Sequence, residues 1–145
     1  MLIRDLMTKN PACCKPTDTL DAVAKQMLDH DCGEIPVCDG PKLVGVITDR
    51  DITTRAVATG KHPHDTVVRD VMSPNVASIR DDRNLDDAIA IMEKVLVRRL
   101  PVLDAHGKLV GIVSQADLVA KVPSDRVARA MKSVAKKTRR EHAVA

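Results

Sequence analysis

The sequence predicts a mixed α/β (α+β) fold, with two tandem β-α-β-β-α repeats packed sheet to sheet about a pseudo-twofold axis. Three observations carry this reading. First, the chain repeats itself. Ile3–Met7 (IRDLM) matches Val68–Met72 (VRDVM), Asn10 matches Asn75, Thr19–Asp21 matches Asn84–Asp86 and Met27 matches Met92, all at a shift of 65. Second, apolar residues within each copy recur at helical and then at strand spacing. Third, both copies close their second strand on one pattern, GVITDRD at Gly45–Asp51 and GIVSQAD at Gly111–Asp117. A unit of about sixty residues buries too little surface to be comfortable alone, so two similar ones are expected to lean on each other.

Each copy opens on an extended piece, residues 12–15 and 76–79, that leads into a helix. Leu20, Val23, Ala24, Met27 and Leu28 mark the apolar face of the first helix, and Leu85, Ala88, Ile89 and Met92 that of the second. Two strands follow, IPVC with KLVGVIT and LPVL with KLVGIVS, each pair joined by a short turn carrying Asp and Gly. Another helix starts after Thr48 and after Ser114. Between the copies, Gly60 is the expected helix stop and Pro63 prevents a restart. The division reads as repeat 1 over 1–60, a linker over 61–67, repeat 2 over 68–121 and a basic C-terminal helix or tail over 122–145.

Composition narrows the function. An apolar fraction of 44% with 30% charged residues is that of a soluble globule. No apolar run approaches a membrane span, and the N-terminus lacks a secretory h-region, so a cytoplasmic protein is expected. Cys13, Cys14, Cys32 and Cys38 show no Cys-x-x-Cys pair and no nearby His-x-x-x-His. They read as small buried hydrophobes, with Cys13 and Cys38 in strands, and no metal site is expected. Phe, Tyr and Trp are absent, which removes the stacking platforms used by single-strand and most RNA readers. The five histidines fall at a helix end, in the linker, in a turn and in the tail. No nucleophile with its base, and no paired acid and base, appears, so no catalytic residue is assigned.

The doubled motif has a structural explanation, because a hydroxyl followed three residues later by an acid at a strand-to-helix junction is a capping box. Two features point past it. Arg50 stands in the first turn of a helix, where the macrodipole disfavours a cation. Arg98 and Arg99 adjoin a strand start, and arginine forks suit phosphate.

The doubled unit, with its DLM/DVM start, IPV/LPV strand and glycine-hydroxyl-aspartate close, resembles the cystathionine-β-synthase (CBS) domain pair, also called a Bateman module, over residues 1 to about 121. The resemblance implies a regulatory module that senses AMP, ADP, ATP or S-adenosylmethionine in clefts between the repeats, without catalysis, and that forms a homodimer. It implies that the motif aspartate holds the ribose diol, that the hydroxyl meets sugar or phosphate, and that each cleft borrows the opening strand of the other repeat. Carried over, Thr48, Arg50 and Asp51 would face Asn75, Val76, Ala77, Val97 and Arg99, with Arg98 alongside. Ser114 and Asp117 would face Thr8, Cys13 and Gly33. Glu34 stands where Arg99 stands in the other copy, and Ala116 where Arg50 stands, so the Asp51 cleft is the expected phosphate site.

The alternative is a dimeric interaction protein working through its tail. Residues 121–145 hold eight Lys/Arg against Asp125 and Glu141, leaving residues 1–120 mildly acidic. Val127, Met131 and Val134 recur at helical spacing there, so the tail is the one segment expected to meet nucleic acid or an acidic partner. It is expected to be dispensable for folding.

Overall fold

The computed structural model describes residues 1–121 and 125–143. In chain order the elements are α1 (Ile3–Leu6), β1 (Thr8–Lys9), α2 (Leu20–His30), β2 (Glu34–Asp39), β3 (Lys42–Thr48) and α3 (Asp49–Asp51), which runs into a π-helical stretch, Ile52–Val57. A 3-10 turn (Val68–Asp70) then leads to β4 (Ser73–Pro74), β5 (Ile79–Arg80), α4 (Leu85–Val95), β6 (Arg99–Leu103), β7 (Leu109–Ser114), α5 (Gln115–Lys121) and α6 (Asp125–Ala143). The mixed class with two sheets is as the sequence predicts.

The chain forms two compact units that do not coincide with its repeats. One comprises 1–10, 77–106 and 110–145, and the other 11–76 and 107–109. Each repeat thus lends its opening segment to the unit built on the other repeat.

In the first unit the sheet order is β1-β7-β6-β5. β1 runs antiparallel to β7, with Thr8 opposite Ile112 and Lys9 opposite Gly111. Ile3 N–H donates to Arg83 O at 2.8 Å and Arg4 N–H to Asp81 O at 3.0 Å, which seats α1. In the second unit the order is β2-β3-β4. There Val68 N–H donates to Asp18 O at 2.8 Å and Arg69 N–H to Pro16 O at 2.9 Å, the same bonds in the other copy. Cys14 bridges Val37 in parallel, in the place that β5 takes beside β6.

This exchange explains two repeated residue types at once. A Cβ on Gly45 would stand 2.6 Å from Ser73 O and 3.2 Å from Met72 Sδ, and one on Gly111 would stand 2.5 Å from Met7 Sδ and 2.9 Å from Thr8 O. The methionine of DLM/DVM and the glycine that opens each motif are therefore a knob and its notch. Asn10 and Asn75, another matched pair, both take the left-handed conformation that asparagine tolerates better than most residues.

The cores follow the units. Ile3, Leu6, Ile89, Met92, Leu100, Val113 and Leu118 are among the buried residues of the first, and Leu20, Val23, Ile35, Val37, Ile47 and Val71 of the second. Three expectations change. On α2 only Leu20, Val23 and Met27 are buried. Ala24 is exposed and Leu28 is 79% exposed, so the face is narrower than its composition suggests. Cys38 lies buried in β2 as expected, but Cys13 is exposed and its neighbour Cys14 takes the inward position. The C-terminal helix docks: Val127, Ala130 and Val134 are 2%, 4% and 1% exposed, and Val127 and Ala130 join the core of the first unit.

The helix after Thr48 departs from α geometry for a local reason. Thr53 and Thr54 donate their hydroxyls to the carbonyls of Asp49 and Arg50, four residues back, and compete there with backbone donors. The ladder widens, with Ala58 N–H reaching Thr53 O at 2.9 Å. The matching helix α5 contains no threonine and stays α-helical.

The segment after Gly60, whose φ is +80°, is stitched to α2. Leu20 N–H donates to Thr66 O at 3.0 Å, and His64 Nδ1 lies 2.8 Å from Asp21 Oδ2. Asp21 is held down at about 2, first by the Thr19 hydroxyl and then by His64, and His64 is raised by its hydrogen bond to Asp21. The raised histidine stabilises the fold fully below its ordinary value of 6.5, and that contribution is lost as pH rises through the folded value. The lowered aspartate stabilises it above 3.8, and that contribution is lost as pH falls through about 2. Both act together between 3.8 and 6.5. In a histidine-resolved NMR titration, His64 should titrate above the ordinary 6.5, and Asp21→Asn should bring it back towards that value. An unmoved His64 would remove the pair.

Candidate functional site

Both motifs are realised as capping boxes with the same bonds. Asp51 N–H donates to Thr48 Oγ1 at 3.0 Å, and Thr48 N–H donates to Asp51 Oδ2 at 3.0 Å. Asp117 N–H donates to Ser114 Oγ at 3.1 Å, and Ser114 N–H and Oγ both donate to Asp117 Oδ2 at 2.9 Å. The cap occupies only Oδ2 of each aspartate. A carboxylate carries about four acceptor positions, so capping and ligand binding are compatible uses of one side chain.

Each junction is closed against the strand start of its own repeat. Asp49 N–H donates to Gly33 O at 2.9 Å, and Gln115 N–H donates to Arg98 O at 2.9 Å. A Cβ on Gly33 would stand 2.8 Å from Asp49 Oδ2, so a side chain there would displace the exposed Asp49 carboxylate. In the antiparallel β2–β3 pair Glu34 lies opposite Thr48. The first junction therefore carries Glu34 and Asp49 along with the Thr48–Asp51 cap, whereas the second carries Arg98 and Arg99, which line one cavity with Ser114. Asp51 is 8% exposed, and its Oδ1 lies 3.7 Å from Arg55 Nη1.

The second junction carries a cavity of about 390 Å³, lined by Arg98, Arg99, Ser114, Gln115 and Ala116, with Met131 and Ala135 of α6 as its far wall. Gln115 is buried, and its Nε2 has no hydrogen-bond partner among the described residues.

The residues expected at the sites divide between the two units. Thr48, Arg50, Asp51, Cys13, Gly33, Asn75 and Val76 belong to one unit, and Thr8, Ala77, Val97, Arg98, Arg99, Ser114 and Asp117 to the other. Gly33 meets the Thr48 junction through Asp49, and Arg99 lines the cavity at Ser114. Thr8 pairs with Ile112, two residues before Ser114. Asn75 is not brought to Thr48. Gly45 pairs with Pro74, and the antiparallel register carries Asn75 away from the helix end of β3. Ala77 and Val97 pack against the core of the first unit.

Two cations in matched positions escaped the sequence reading. Arg55 Nη1 donates to Val71 O at 3.0 Å, Met72 O at 3.2 Å and Ser73 Oγ at 3.2 Å. Lys121 Nζ donates to Leu6 O at 3.0 Å. Each clamps the exchanged opening segment, and because Arg55 also faces Asp51 it ties that segment to the motif. The signal was a basic residue four positions after each motif aspartate.

The fold and the doubled junction form a tandem pair of repeats, and the chain belongs to the CBS domain family, whose model matches residues 3–57 and again 68–124. It is 32% identical over 132 residues to Hypoxic response protein 1 of Mycobacterium tuberculosis (strain ATCC 25618 / H37Rv), covering 90% of this chain and 92% of that protein. The crystal structure of Hypoxic Response Protein I, which holds two coordinated zinc ions, matches with a TM-score of 0.78 at 33% identity, over 85% of this chain and 100% of the other. CBSX2 of Arabidopsis thaliana in complex with AMP matches with a TM-score of 0.71 at 31% identity, over 82% and 93%. The CBS domain pair of MJ0100, in complex with 5′-methylthioadenosine and S-adenosyl-L-methionine, matches with a TM-score of 0.73 at 29% identity, over 83% and 98%. Among the described residues of this chain, no group of three or more His, Cys, Asp or Glu side chains is placed to hold a metal ion. No helix among them is long and apolar enough to cross a membrane.

Proposed function

We propose that this chain is a non-catalytic sensing module that binds adenosine-containing ligands at its two strand-to-helix junctions, with a phosphorylated one, AMP in the first instance, at Ser114–Asp117. The observation that carries this reading is the cavity where Arg98 and Arg99 meet the second motif. Its volume lies in the range of about 300–1,000 Å³ usual for small-molecule sites. Asp117 has acceptor capacity beyond its cap for a ribose diol, and the two guanidinium forks suit a phosphate. CBSX2 with AMP and MJ0100 with its adenosyl ligands support the ligand class.

Charge reverses the preference expected from the sequence. Glu34 and Asp49 at the first junction repel a phosphate and favour a cationic adenosyl compound such as S-adenosylmethionine. Calorimetry on the full chain tests both halves. Asp117→Ala should weaken AMP binding at least tenfold while destabilising the fold by about the 1 kcal/mol of a lost cap. Arg99→Ala should weaken AMP more than adenosine, because only the former presents a phosphate. AMP affinity that follows Asp51 and ignores Asp117 and Arg99 would return the phosphate to the first junction. Affinity indifferent to all three substitutions would leave both motifs as caps only.

A further inference from the structure

We propose that Cys13 and Cys38 form a thiol pair that hydroperoxides convert to an intrachain disulfide, a modification site separate from both junctions and independent of the ligand reading. The backbone sets the pair in place. Cys14 N–H donates to Pro36 O at 3.0 Å and Cys38 N–H donates to Cys14 O at 2.9 Å, which lays the Cys13–Cys14 segment alongside β2. Cys14 stands opposite Val37, and both turn inward to the core of the second unit, 3% and 0% exposed. Successive side chains of an extended segment alternate between faces, so Cys13 and Cys38 share the other face of these adjacent segments, diagonally, one residue to either side of the parallel Cys14–Val37 bridge. The two thiols are near enough for Cys13 to raise Cys38. The ladder also shifts register between Val37 and Cys38, a local irregularity at the thiol itself.

The four cysteines are not equivalent. Burial pushes Cys14 up to about 12, and burial followed by the neighbouring Cys13 pushes Cys38 up to about 11, so both are held as thiols. Cys13 is exposed and takes the first step. Its thiolate attacks the peroxide O–O bond, which breaks to leave a sulfenic acid on Cys13 and, after protonation, water. The Cys38 sulfur then attacks the Cys13 sulfur. The S–O bond breaks, the S–S bond forms, and the Cys38 proton leaves with the hydroxyl as a second water. Two thiols lose two electrons and one hydrogen peroxide gains them.

The test treats the reduced full chain with hydrogen peroxide and reads it by intact mass and peptide mapping. Two of the four thiols are expected to disappear together, the mass to fall by two hydrogens, and one cross-linked peptide to join Cys13 to Cys38, all reversed by dithiothreitol. Cys38→Ser should stop at a dimedone-reactive sulfenic acid on Cys13. Cys13→Ser should leave Cys38 unoxidised at the same dose. Advance of wild-type Cys13 to the sulfinic acid with Cys38 still free overturns the proposal, as does a cross-link that uses Cys14 or Cys32 or joins two chains. The wild-type peptide map decides the matter even if Cys38→Ser folds poorly.

Discussion

Removal of residues 126–145 is expected to destabilise the protein by about 4 kcal/mol, on the order of 10 °C in melting temperature for a chain of this size. The charge of the tail argues for solvation, but charge is not what decides it. Val127, Ala130 and Val134 are 2%, 4% and 1% exposed, and Met131 packs against the core that contains Ile89, Met92 and Leu118. Fully burying a valine is worth about 1.5–3 kcal/mol, and the core left behind is newly exposed as well. The denatured chain already buries part of this apolar surface, which holds the loss to the lower half of that range. Thermal and urea denaturation of the truncated chain measure the loss, and Val134→Asp should reproduce much of it within the full-length chain by burying an unpaired charge. A truncated chain as stable as its parent would show that α6 only rests on the surface. Because Met131 and Ala135 wall the Ser114 cavity, the same truncation should weaken AMP binding under the reading proposed here.

Gly45→Ala should cost about 2–3 kcal/mol, which is large for one added methyl group. The cause is steric and not conformational. Gly45 has no left-handed φ, but its Cβ would stand 2.6 Å from the backbone oxygen of Ser73. Backbone in a paired strand cannot step aside without giving up its bonds, so β4 must move off β3. Gly111→Ala meets Met7 Sδ at 2.5 Å, the far end of a side chain that can turn away, and Thr8 O at 2.9 Å. It should therefore cost about 1–2 kcal/mol. Chemical denaturation of the two variants side by side gives the comparison. Equal and negligible losses would mean that the exchanged segments are not seated in solution as described.

The sequence by itself determined the doubled unit, its helices and strands, and the two capping boxes. Those features are local: a helical apolar period, a turn with glycine, a hydroxyl three residues before an acid. Their signals lie within a few residues of one another and survive without knowledge of the rest of the chain. Tertiary structure alone decided which repeat each opening segment serves. The bonds that settle it join residues such as Ile3 to Arg83 and Val68 to Asp18, and the apolar pattern of IRDLM and VRDVM suits either sheet equally. The same limit left open which junction of their own unit Arg99 and Gly33 adjoin. Their residue types announced a charge and a close approach, but strand register chose the motif each one meets. It also hid the fate of the tail. Three small apolar residues among many cations read as a solvated helix until an uncovered core, built from both ends of the chain, supplies the surface that buries them.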